Sequence, residues 1–132
     1  MDEIVIEAAL PNMDKVLDFV NGRLGDCPPN VRNHIGIAVD EIFSNIANYA
    51  YDPEVGAASV RVAVSDDMIT MEFQDGGTAY DPLSKDDPDV SLPAEERSIG
   101  GLGIFMVKNI MDVVEYRREG NNNILTIKKR LE

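Results

Sequence analysis

Residues 60–74 read VRVAVSDDMITMEFQ. Val60, Val62 and Val64 alternate with Arg61, Ala63 and Ser65, and Ile69, Met71 and Phe73 alternate with Thr70, Glu72 and Gln74. A period of two marks strands with one buried face, and Asp66-Asp67 between them is turn chemistry. Two strands joined this closely pair antiparallel, because a parallel pair needs a long crossover. A second hairpin is predicted from Val113 to Arg130, turning at Gly120-Asn121-Asn122-Asn123.

The elements around these hairpins complete the order. Residues 3–8 read as a short strand with Ile4, Ile6 and Ala8 on one face. Residues 11–24 read as an amphipathic helix with Val16, Leu17, Phe19, Val20 and Leu24 on its apolar side, ending near Gly22 and Gly25. Pro28 and Pro29 open a longer helix that runs to about Tyr51. Val31, Ile35, Ala38, Ile42, Ile46 and Tyr49 repeat along it at helical spacing, and Asp52-Pro53 stops it. A long connection rich in Gly, Pro, Ser and Asp follows the first hairpin, and connections of that length are usually functional. Gly100-Gly101-Leu102-Gly103 then leads into a last helix bearing Ile104, Phe105, Val107, Ile110 and Met111. The order β-α-α-β-β-loop-α-β-β predicts a two-layer α/β sandwich. Its sheet is mixed but mostly antiparallel, its helices cover one face, and residues 1–132 form a single domain.

Composition narrows the function. The 132 residues carry 12 Lys and Arg against 24 Asp and Glu, a net charge of −12 that repels a nucleic-acid backbone. From Arg117 onward five basic residues meet two acidic ones, which reads first as a solvated strand face and second as a docking patch. Cys27 and His34 are the only cysteine and histidine, so a disulfide framework, a cysteine zinc site and a histidine triad are all unsupported. No apolar run reaches the roughly 18 residues of a membrane span, and the Met-Asp-Glu-Ile start lacks the basic residues of a signal peptide. Both point to a cytoplasmic protein away from membranes. The G-x-x-x-x-G-K-[ST] loop and the H-R-D and D-F-G kinase motifs are missing.

Three stretches carry polar groups suited to chemistry. On the second helix Glu41 and Asn45 project about 40° apart, with Asn48 following on the same side. Such oxygens suit a hydrated Mg²⁺, although a wet helix face is the plainer reading. Asp75, before Gly76-Gly77 at a strand end, can accept from an amine on a ligand ring. Free N–H groups at the glycine-rich helix start can hold a phosphate, with Arg97 or Lys108 close in sequence.

Together, in this order, these stretches resemble the GHKL ATPases. Residues 38–51, from Ala38-Val39-Asp40-Glu41 to Asn48-Tyr49-Ala50-Tyr51, resemble the N-box; Asp75-Gly76-Gly77-Thr78-Ala79-Tyr80-Asp81-Pro82 resembles the first glycine box. Gly100-Gly101-Leu102-Gly103-Ile104-Phe105-Met106-Val107 resembles the second. The Asn-Tyr-Ala-Tyr ending and the Tyr-Asp-Pro are most similar to the bacterial anti-sigma factor serine/threonine kinases, and the resemblance covers nearly the whole chain. It implies Glu41 as catalytic base, Asn45 as the Mg²⁺ ligand and Asn48 beside it at the nucleotide. It implies Asp75 on the adenine amino group with Gly77 under the base, and a lid over residues 83–100 with Arg97 near the γ-phosphate. It also implies Gly101, Leu102 and Gly103 at the phosphates, and Thr126 supporting the adenine through Asp75 and water. Ala79 stands where a second glycine is frequent, and Tyr49 where a histidine is usual.

The implied function is an ATP-binding, Mg²⁺-dependent anti-sigma factor that phosphorylates a Ser or Thr of an antagonist protein. Its partners are a sigma factor and that antagonist, and homodimers are frequent in the family. The alternative is an ATP-gated binding module without phosphotransfer.

Overall fold

The structure, a computed structural model, describes residues 1–51, 56–84 and 102–132. The hairpin joins β2 (Ala57–Ser65) to β3 (Met68–Asp75) through Asp66 and Asp67, with φ of 55° and 59°. Two loop residues both at positive φ make a type I′ turn, whose twist matches that of the strands. Asp tolerates this region better than most residues, but glycine enters it without steric cost. Relief of left-handed strain, about 1–2 kcal/mol, outweighs the about 0.4–1 kcal/mol of unfolded-chain entropy that glycine adds, so Asp67→Gly is expected to raise stability by about 0.5–1 kcal/mol. Urea unfolding checks this: the midpoint should rise at constant slope, and a lower midpoint would show that the Asp67 side chain matters more than its backbone.

β2 and β3 set Val60 opposite Phe73, Val62 opposite Met71 and Val64 opposite Ile69. All of these are buried except Val64, which sits near the turn. β1 (Asp2–Glu7) adds to β2, β5 (Asn122–Arg130) adds to β3, and β4 (Val113–Glu119) adds to β5. The order is β1-β2-β3-β5-β4. All four ladders are antiparallel, so the expected mixed sheet is purely antiparallel among the described residues.

Among the described residues three α-helices cover one face. α1 (Met13–Asn21) is shorter than its apolar pattern predicts, because Leu10–Asn12 form a 3-10 turn and Gly22 caps the other end. α2 (Pro29–Asn45) starts after Pro28 at the expected place. It then widens into a π turn, Ile46–Ala50, and α3 (Leu102–Ile110) packs beside it. Val16 and Val20 of α1, Ile35, Val39 and Phe43 of α2 and Val107 of α3 are 0–1% exposed and join the inward strand residues in one core. The other sheet face is mostly polar. On it Arg61 Nε donates to Glu3 Oε2 at 2.6 Å, Ser59 Oγ donates to the same oxygen at 2.7 Å, and Glu72 lies 4.0 Å beyond Arg61. The hydrogen bonds from Arg61 and then Ser59 hold the Glu3 carboxyl below the usual carboxylate range.

Candidate functional site

The π turn shapes the site. In an α-helix Tyr49 would continue the buried stripe of Ile42 and Ile46, as the spacing predicts. With i→i+5 bonding the turn is wider, and Tyr49 is instead 59% exposed. The same widening brings Ala50 against the first glycine box, where the Ala50 carbonyl accepts from Thr78 N–H at 3.0 Å. A Cβ on Gly77 would overlap the Ala50 backbone, with its carbonyl carbon 2.6 Å away. Gly77 is thus required by this close approach. Tyr51 adds a second tie: its hydroxyl donates to the Ala57 carbonyl and accepts from Gly76 N–H, both at 2.7 Å.

These ties leave a pocket between the end of α2, the ends of β3 and β5, and the start of α3. Ile42, Ile46 and Ile104 form apolar wall, while Asn45 and Asp75 are polar groups within it. Tyr49 and Tyr80, both exposed, stand at its mouth. Asp75 ends β3 and is 6% exposed. Its Oδ1 accepts from Gly77 N–H and from Asn123 Nδ2, each at 3.0 Å. Its Oδ2 takes no hydrogen bond among the described residues. An apolar slot with one spare carboxylate oxygen suits a flat ring bearing an amine.

The other expected site residues are placed as follows. Asn45 lines the pocket with Asp75. Glu41 lies one turn earlier, half-buried, and a Cβ on Gly103 would overlap its Oε2. Its carboxylate therefore sits at the first turn of α3, where the helix dipole favours negative charge. It is not among the pocket-lining residues. Leu102 is the first residue of α3, while Arg97, Gly101 and most of the expected lid lie outside the described residues. Asn48 does not line the pocket: it is exposed, because the pocket-facing positions of this stretch are 42, 45, 46, 49 and 50. Thr126 is a correction. It pairs with Glu72 and Glu115, whereas Asp75 pairs with Asn123. Strand side chains alternate between faces, so Thr126 points to the side of the sheet away from Asp75.

Asn123 occupies the place given to Thr126. The sequence pattern reads Asn123 as a turn residue, but the turn is Gly120-Asn121, with Gly120 at φ 61°. A signal for its true direction was present. Leu125 and Ile127 are the apolar positions of β5 that face the core with Phe73 and Met71, and Asn123 shares their parity.

Among the described residues no group of three or more His, Cys, Asp and Glu could hold a metal. A Mg²⁺ held mainly by phosphate and water needs only one or two protein oxygens, and Asn45 carries one in the pocket lining. No helix among the described residues is long and apolar enough to cross a membrane.

A sequence model of the histidine kinase-like ATPase domain matches residues 6–129. The chain belongs to that family. It is 28% identical over 96 residues to the serine-protein kinase RsbW of Bacillus cereus strain AH187, covering 70% of this chain and 60% of that protein. Against the serine-protein kinase RsbW of Listeria monocytogenes identity is 32% over 96 residues, covering 68% of this chain and 61% of that protein. The chain spans about three-fifths of the length of these curated relatives. In structure it resembles a blue-light activated histidine kinase of Erythrobacter litoralis EL346 (TM-score 0.59, 18% identity, 92% of this chain and 40% of that one). It also resembles histidine kinase AdeS of Acinetobacter baumannii (TM-score 0.57, 16% identity, 100% of this chain and 68% of that one). These two likenesses concern the fold alone.

In this member the glycine packing is directly testable. Gly77→Ala is expected to lower stability by about 1–3 kcal/mol, because the Ala50 backbone cannot move aside cheaply. Gly36, inside α2, has nothing within 4 Å of an added Cβ, so Gly36→Ala should instead stabilise by about 0.5–1 kcal/mol. Thermal unfolding of both variants checks the contrast. Equal shifts would mean that the Gly77–Ala50 approach is not constraining.

Proposed function

We propose that this chain works as one Mg²⁺-ATP-binding unit and transfers the γ-phosphate to a Ser or Thr of an antagonist protein. Its other partner is a sigma factor, which it holds until the antagonist competes. The observation that carries this reading is Asp75: a buried carboxylate with one oxygen committed and the other facing an apolar slot. A 6-amino purine presents the matching donor. The two relatives named as serine-protein kinases support the transfer step.

Each residue then has a role. Asp75 binds the base amine, and Ile42, Ile46 and Ile104 pack on the ring. Asn45 offers an amide oxygen to Mg²⁺, which when bound neutralises phosphate charge. The N-terminus of α3 at Leu102 and Gly103 offers N–H groups to phosphate. Glu41 takes the proton of the incoming hydroxyl. Phosphoryl transfer needs mainly positioning and charge neutralisation, which these groups supply.

Calorimetric titration with ATP and Mg²⁺, followed by a pull-down with and without ATP, tests the reading. Saturable ATP binding and a partner phosphorylated on Ser or Thr, seen by mass spectrometry, are expected. Failure to bind ATP overturns the reading. ATP-dependent capture of a partner that is never phosphorylated favours the ATP-gated module instead. The position of Glu41 outside the lining of the pocket keeps that second reading in play.

A further inference from the structure

Asn123 is 7% exposed and makes five hydrogen bonds. Its Nδ2 donates to Asp75 Oδ1 at 3.0 Å and to the Thr78 carbonyl at 2.8 Å. Its Oδ1 accepts from Tyr116 Oη at 2.6 Å, Arg118 Nη1 at 3.1 Å and Tyr80 N–H at 3.3 Å. An amide has two N–H donors and one oxygen with two lone pairs, so this group is saturated on both sides. Its orientation is over-determined: a flip would turn the NH₂ toward three donors and the oxygen toward two acceptors.

We infer that Asn123 is the positioning residue that gives the pocket its preference for an amino-bearing base, and that Tyr116 and Arg118 of edge strand β4 hold it in place. The inference rests on the nucleotide reading of the pocket and deepens it. Asn123 has no free donor or acceptor for a ligand, so it acts through Asp75. By taking Oδ1, together with Gly77 N–H, it leaves Oδ2 as the acceptor that faces the pocket. Arg118 closes the arrangement from outside, since its Nη1 also donates to the Gly77 carbonyl at 3.1 Å. One residue of the outermost strand thus braces both the glycine box and the amide behind Asp75.

The test compares ATP with inosine triphosphate, which carries a 6-oxo group in place of the 6-amino group. Both are titrated against wild type, Asn123→Leu, Tyr116→Phe and Arg118→Gln, with thermal unfolding run alongside. Wild type should prefer ATP. Asn123→Leu should lose about tenfold or more in ATP affinity and little in inosine triphosphate affinity, so that the preference collapses. Tyr116→Phe and Arg118→Gln should shift the ratio the same way by a smaller factor. A purely structural role would weaken both nucleotides alike and leave the ratio unchanged, which would overturn the proposal. If Asn123→Leu does not fold, the two milder variants decide, and unchanged ratios in both are equally fatal. A wild-type protein that binds neither nucleotide removes the nucleotide reading itself, before any variant is made, whereas one that binds both equally leaves that reading standing and overturns the inference about base preference.

Discussion

Asp75→Asn is expected to abolish ATP binding while the fold survives. The two donors on Oδ1, Gly77 N–H and Asn123 Nδ2, are met equally well by an amide oxygen. That requirement orients the new side chain, so its NH₂ must take the place of Oδ2 and face the ligand amine, donor against donor. The opposite orientation sets NH₂ against two buried donors. Either way the charge-assisted hydrogen bond is lost and donors are left facing donors, on the ligand side in the first orientation and behind the side chain in the second. A site built to hydrogen-bond one group rejects a mismatch strongly, and an affinity loss of about 10²-fold or more follows. Calorimetry with ATP and Mg²⁺ measures it, with unfolding curves to show that the protein is intact. Affinity near that of wild type in a folded variant would remove Asp75 from the base site.

Glu41→Gln should separate chemistry from binding. Glutamine keeps the length and shape of Glu41, so the tight packing on Gly103 at the first turn of α3 is preserved. It cannot take a proton from an attacking hydroxyl. ATP affinity should change little, whereas phosphoryl transfer to the antagonist should fall by about 10²-fold or more. A radiolabel transfer assay beside a nucleotide titration reads both quantities. If Glu41 serves only the α2–α3 seam, transfer stays near wild type, or transfer and binding weaken together. Glu41 does not line the pocket. The experiment therefore asks whether the hydroxyl approaches from the start of α3 or whether this carboxylate is structural.

Much of the fold was legible because its signals are local. Alternation from Val60 to Phe73 named two strands, and their short joint made them antiparallel. Pro28-Pro29 marked the start of α2, and the spacing of Ile35, Ile42 and Ile46 marked its buried side. Where the reading slipped, a non-local term decided. Tyr49 fits a regular helix, but the turn widens to i→i+5 where Ala50 meets Thr78 and Gly77, and bonding to another part of the chain overrides the local period.

For the site, sequence alone determined the residue types: a carboxylate before two glycines, a carboxylate and an amide one turn apart, and a glycine cluster opening a helix. Those are chemical facts of single segments. Tertiary structure alone decided which groups meet. It turned Asn48 away from the pocket, and strand parity sent Thr126 to the opposite face of the sheet and brought Asn123 to Asp75. It placed Tyr51 between Gly76 and Ala57, and Tyr116 and Arg118 behind Asn123. The physical reason is range. Propensity and periodicity act over a few residues, whereas the Asp75–Asn123 bond joins positions 48 apart and exists only after β3 and β5 pair in register.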